Sequence, residues 1–148
     1  MKSLIVAMAL AVIAAFSVQT SASAEDGIHH LALQISDNDP QKMNTVLNVA
    51  SNVSRYYTDK GEEIEIQIVA FNAGLHMLRA DTSPVTDRIK IFTDSMPNVT
   101  FDACGNTLAA MTKNEGKEPP LLPGAKVVPA GVVTLIDLDE HGWTIVRP

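Results

Sequence analysis

Short apolar stretches alternate along the chain with longer amphipathic ones, and this alternation predicts strands and helices in turn. Residues 28–35 read as a strand with Leu31, Leu33 and Ile35 on one face. Asp39 followed by Pro40 is a helix cap with proline at the first helical position. Beyond it Met43, Val46, Leu47, Ala50, Val53 and Tyr57 recur at helical spacing, and Gly61 closes the connection. Ile64, Ile66 and Ile68 alternate with Glu65 and Gln67 and run into Val69-Ala70-Phe71, a second strand. Residues 75–79 form a short helical turn in this reading. Ser83-Pro84 repeats the cap-plus-proline signal ahead of Val85, Ile89, Phe92 and Met96, another helical stripe. Residues 99–103 are a third strand, 106–113 a short helix, 114–123 a polar, proline-rich loop and 126–128 a fourth strand. Residues 132–138 are apolar on nearly every side, which predicts a helix buried on two faces. Residues 143–146 complete the pattern as a terminal strand.

Strands that alternate with helices imply parallel strands joined by right-handed crossovers. The expected class is therefore α/β: a three-layer α/β/α sandwich around a mostly parallel sheet of about five strands. One domain, residues 25–148, accounts for the whole pattern. The first 24 residues read differently. A basic start (Lys2) precedes an apolar run at 4–16, roughly 13 residues, which suits a signal peptide and is short for a membrane span. Ala22-Ser23-Ala24 supplies an A-x-A cleavage site. The expectation is a signal peptide over 1–24, a periplasmic or secreted product, and no membrane association once the leader is removed.

Composition narrows the function classes. The formal net charge is −6, or about −7 once Lys2 leaves with the leader, and no basic run interrupts it. Such a chain has no electrostatic footprint for nucleic acid or anionic lipid, so no nucleic-acid partner is expected. Cys104 is the one cysteine, so no internal disulfide can form and the fold must rest on an apolar core.

In parallel α/β folds ligands sit beyond the carboxyl ends of the strands. Four loops should meet there, at 36–40, 71–76, 102–107 and 129–131. Cys104 lies where the third strand passes into a helix, and unpaired backbone N–H groups at a helix start favour thiolate. Gly105 beside it leaves room for a partner's backbone. A buried structural thiol is the competing reading, since free cysteine also behaves as a small hydrophobe; the residues alone leave both open. Metal binding has less behind it. Asp37, Asp39, His76 and Cys104 share one edge, but Asp39 has a capping role and no compact ligand spacing occurs. His29 and His30 are strand neighbours and point to opposite faces. No metal and no cofactor are therefore expected. Ser36, Ser83 and Ser95 lack a nucleophile elbow, and no phosphate-cradling glycine loop is present. Met43, Met77, Met96 and Met111 fit helix faces and read as core.

The chain resembles the DsrE/DsrF-like family, in particular its small exported members. The resemblance rests on residues 30–40, with Ser36, Asp37, Asp39 and Pro40, and on Ile68-Val69-Ala70-Phe71-Asn72-Ala73-Gly74. It continues through Phe101-Asp102-Ala103-Cys104-Gly105-Asn106-Thr107, Leu122-Pro123-Gly124, Val127-Val128-Pro129-Ala130-Gly131 and Gly142-Trp143-Thr144. It implies a flavodoxin-like domain that associates as a homo-oligomer, a trimer or hexamer, and carries persulfide on a cysteine after the third strand. Cys104 matches that position. The resemblance thus implies a sulfur-carrier or thiol-binding protein, with a sulfur donor or acceptor protein as partner. Asn72, Gly74, His76, Gly105, Asn106 and Gly131 are the expected pocket residues around Cys104. No general base is evident beside the thiol, so a carrier fits better than an enzyme. The alternative is a non-catalytic oligomeric protein that binds a small ligand and keeps Cys104 packed in its core.

Overall fold

The computed structural model describes residues 27–148, so the leader reading for 1–24 lies outside the described residues. The elements run β1 (Ile28–Ile35), α1 (Pro40–Lys60), β2 (Glu63–Ala70), a 3-10 segment (Asn72–Leu78), α2 (Thr86–Ser95), β3 (Val99–Cys104), α3 (Gly105–Glu115), β4 (Ala125–Val128), α4 (Gly131–Glu140) and β5 (Thr144–Val146). Local chemistry explains most of the boundaries. The Asp39 carboxylate accepts the Gln41 N–H at 2.8 Å and Pro40 opens α1. Gly61, at φ 72°, ends the helix in the left-handed conformation that glycine adopts without strain. Ser83 behaves otherwise. Its hydroxyl donates to the Met77 carbonyl and accepts from the Val85 N–H, so α2 starts at Thr86, later than the cap-plus-proline signal suggests.

All five strands are parallel, in the order β4-β3-β2-β1-β5. The α/β class expected from the pattern is the one observed. The first four strands advance in one direction across the sheet, unlike the flavodoxin order 2-1-3-4-5, and only β5 lies on the far side of β1. Right-handed crossovers then put α1, α2 and α3 on one face and α4 alone on the other. The packing follows this division. The larger core gathers Leu33, Ile66, Ile68 and Phe101 from the strands with Val46, Leu47, Ile89 and Leu108 from the three helices. A smaller cluster on the opposite face holds Ala32, Val69 and Leu135, with Phe71, Leu138, Trp143 and Ile145 around it. Each fully buried aliphatic or aromatic side chain stabilises the fold by about 1.5–3 kcal/mol, so the three-helix face carries most of the stability.

The α4 face departs from expectation. Gly131 and Leu135 are buried, but Val132, Val133 and Ile136 stay more than half exposed, so within one chain α4 is buried on one face and not two. The 75–79 turn is also longer than expected, running as a 3-10 segment from Asn72 to Leu78. Gly74 fixes its position: a β-carbon there would stand 2.2 Å from the Ile35 carbonyl oxygen, so only glycine lets this segment lie on the end of β1.

Candidate functional site

Cys104 is the last residue of β3 and the cap residue of α3, with extended backbone (φ −64°, ψ 115°). Its side chain lies on the α4 side of the sheet, directly under the start of α4. Neither helix has a side-chain cap bond at its N-terminus, so first-turn N–H groups of both can serve the sulfur, although the Asn106 N–H also donates to the Pro129 carbonyl at 3.3 Å. The thiol feels opposing influences. Burial pushes it up, while the Gly131 N–H, the Thr107 hydroxyl and the N–H groups of Thr107 and Asn106 pull it down. The second group wins, and the thiol is held below its ordinary range.

The Thr107 hydroxyl also connects the thiol to the start of the 3-10 segment that follows β2. It accepts the Asn72 N–H at 3.0 Å. Asn72 can aim that N–H because it adopts a left-handed conformation (φ 49°), which asparagine tolerates better than most residues. Two glycines allow the close packing. A β-carbon on Gly131 would meet the Cys104 and Phe71 β-carbons at 3.2 Å and Val69 at 3.3 Å. A β-carbon on Gly105 would meet the Val128 carbonyl oxygen at 2.9 Å, so the space it leaves is taken by this chain's own β4–α4 connection and not by a partner.

A pocket of about 410 Å³ opens over the sulfur at the carboxyl edge. Phe71 and Asn72 form one wall, Asn106, Thr107, Ala110, Met111 and Asn114 of α3 a second, and Ala130, Gly131 and Val132 a third. None of these side chains is charged. Cys104 is 6 % exposed and forms part of the pocket lining. Of the residues expected from sequence, Asn72, Cys104, Asn106 and Gly131 meet at this pocket, and Gly105 supports it from below. Gly74 and His76 do not reach it. Gly74 is buried against β1, and the His76 Nδ1 bonds the Thr82 hydroxyl at 2.8 Å. Thr107, Phe71, Met111, Asn114 and Val132 are lining residues that the sequence reading missed. Thr107 alone had a local signal, as a hydroxyl residue three positions after the helix cap.

The remaining candidate ligands have other roles. Asp37 receives Lys42 at 2.9 Å and Arg147 at 3.0 Å, which bridges the β1/β5 switch point where the fold class would usually place a ligand. His29 pairs with Glu62 and packs on Tyr57, whereas His30 packs on Trp143 across the sheet. Among the described residues no three His, Cys, Asp or Glu side chains cluster as a metal site would require. Arg79, buried at the end of the 3-10 segment, holds Asp81 and Glu115 and so fixes the C-terminal end of α3 beside the pocket.

Fold and site together define a single-domain α/β protein with one cysteine at the carboxyl end of its third parallel strand. No protein-family model matches the chain, and no curated protein matches it. Among solved structures it is similar to MTH1491 from Methanobacterium thermoautotrophicum, a protein of unknown function. The two share 30 % identity over 81 % of this chain and 99 % of the other, with a TM-score of 0.66. The chain belongs to the same family as that archaeal protein.

Proposed function

We propose that this protein is a sulfur carrier that holds a sulfane sulfur as persulfide on Cys104. The observation that carries this reading is the meeting of two uncapped helix N-termini and the Thr107 hydroxyl at one sulfur, beside an open pocket. That arrangement stabilises a thiolate, the form that attacks sulfur. In the step proposed, the Cys104 thiolate attacks the terminal sulfur of a donor persulfide R–S–SH. The donor S–S bond breaks, a new S–S bond forms on Cys104, the proton stays on the terminal sulfur, and the donor leaves as the thiolate RS⁻. No external oxidant is required. The resemblance to the DsrE/DsrF-like family and a location outside the cytoplasm belong to the same proposal, as does a donor or acceptor protein as partner.

A homo-oligomer is also proposed. One helix covers a face that three helices cover on the other side, and Val132, Val133 and Ile136 are left outward. Sedimentation should give a mass above the monomer, and Ile136→Asp should lower it.

The burial of Cys104 favours a second reading, a small-ligand-binding protein with a structural cysteine. Alkylation of the native protein separates the two. A carrier alkylates at Cys104 without denaturant and gains one sulfur atom there after mild polysulfide treatment. A thiol that reacts only after denaturation overturns the carrier reading.

A further inference from the structure

Asp102 is a second ionisable group in the same strand, and the persulfide step does not use it directly. It is 1 % exposed, the one buried carboxylate among the described residues. Buried carboxylates usually face a cation. The buried cation Arg79 is already paired with Asp81 and Glu115, and among the described residues no cation stands within ion-pair distance of Asp102. The Gln67 amide donates to one carboxylate oxygen. The register pairs Asp102 with Lys126 of β4, whose charge is too far away to form an ion pair but still acts on the carboxyl.

Geometry links this carboxyl to the site. Residues two apart on a strand share a face, so Asp102 lies on the Cys104 side of the sheet, roughly 6.5 Å down the strand. The groups facing Asp102 are few. Gln67 comes from β2 with Glu65 beyond it, Lys126 from β4, and Thr100 and Cys104 from β3 itself; α4 keeps Asp137, Asp139 and Glu140 exposed. Between Asp102 and the sulfur there is thus no counter-charge.

We infer that Asp102 is a positioning residue of the Cys104 site, whose buried carboxyl governs when the sulfur can carry negative charge. Two ionisable acids this close in a partly desolvated setting do not ionise independently. Once Asp102 is ionised, its field opposes the helix N-termini and holds back the thiolate. Burial displaces the Asp102 carboxyl upward from its ordinary range, against the pull of Gln67 and Lys126, so this restraint fades as the medium turns acidic. An ionised Asp102 thus lowers the fraction of thiolate open to adventitious oxidation.

The inference rests on the carrier reading only in requiring Cys104 to react in the native protein. The test is the pH midpoint of Cys104 alkylation in the full chain, wild type against Asp102→Asn. A like charge at that separation is worth one to two pH units at an effective dielectric of about 20, and Lys126 offsets part of it. The expected result is a midpoint lower by about one unit and alkylation faster by up to about tenfold at neutral pH. Thermal melting checks that the variant is folded. Lys126→Gln, at an exposed position, is the second variant and should move the midpoint up by a few tenths of a unit. An unmoved midpoint in a folded variant overturns the role of Asp102. A wild-type thiol that never reacts natively overturns the carrier reading instead.

Discussion

Replacing Thr107 with valine removes one hydroxyl and nearly preserves the side-chain shape. The hydroxyl accepts the Asn72 N–H at 3.0 Å and bonds the Cys104 sulfur. A hydrogen bond to a charged partner contributes about 1.5–3 kcal/mol, and about 1.4 kcal/mol corresponds to one pH unit. Water entering the open pocket replaces part of that bond, so the lower end applies. The thiol midpoint should therefore rise by about one unit in Thr107→Val. The same change leaves the Asn72 N–H without its acceptor, and because Asn72 is exposed, water can replace it and the loss of stability should be about 1 kcal/mol or less. Iodoacetamide rates across pH, read by peptide mass, give the midpoint; thermal melting gives the stability. A midpoint that stays put or falls would refute the assignment of Thr107 as a stabiliser of the thiolate. The shift is opposite in sign to that expected for Asp102→Asn, so general loosening of the site cannot produce both.

Gly131→Ala puts a methyl group against Cys104, Phe71 and Val69 at 3.2–3.3 Å. The start of α4 should yield by a few tenths of an ångström, withdrawing the Gly131 N–H from the sulfur and raising the thiol midpoint, with a melting temperature only slightly reduced. Gly74→Ala meets backbone at 2.2 Å and cannot be relieved by a side-chain movement, so a loss of about 3 kcal/mol or more is expected by denaturant titration. Arg79→Met should cost about 2–3 kcal/mol, since it leaves Asp81 and Glu115, both partly exposed, without their cation. Arg79 holds both carboxyls below their ordinary range, so its stabilisation is present above about pH 4, the unfolded-chain value, and is lost as pH falls through the lowered folded values. The wild type should therefore lose stability in acid faster than Arg79→Met, as melting temperatures between neutral pH and acid would show.

Local signals made the frame legible. Asp39, Pro40 and Gly61 mark α1 through bonds made within a few residues, and the alternation in 64–68 gives β2 its buried face. The 3-10 segment was harder to foresee, because Gly74 answers to the Ile35 carbonyl, which belongs to another strand. Ser83 misled because its hydroxyl bonds Met77, a partner that the sequence cannot display. In the site, Cys104, Asn72 and Gly131 follow from the rule that loops gather at the carboxyl edge. Met111, Asn114 and Val132 enter through the rotation of α3 and α4, which only packing decides. Asp102 did have a signal, as the single charge in an otherwise uncharged strand, but its neighbour Lys126 is set by register.

The most direct measurement of the carrier claim is release of the bound sulfur. Protein treated with polysulfide and freed of excess reagent is exposed to cyanide, which takes a sulfane sulfur as thiocyanate and returns the thiol. We expect thiocyanate in proportion to Cys104, none from Cys104→Ser, and recovery of an alkylatable thiol afterwards. Equal thiocyanate from both proteins, or none from the wild type, would contradict the assignment of Cys104 as a sulfur carrier.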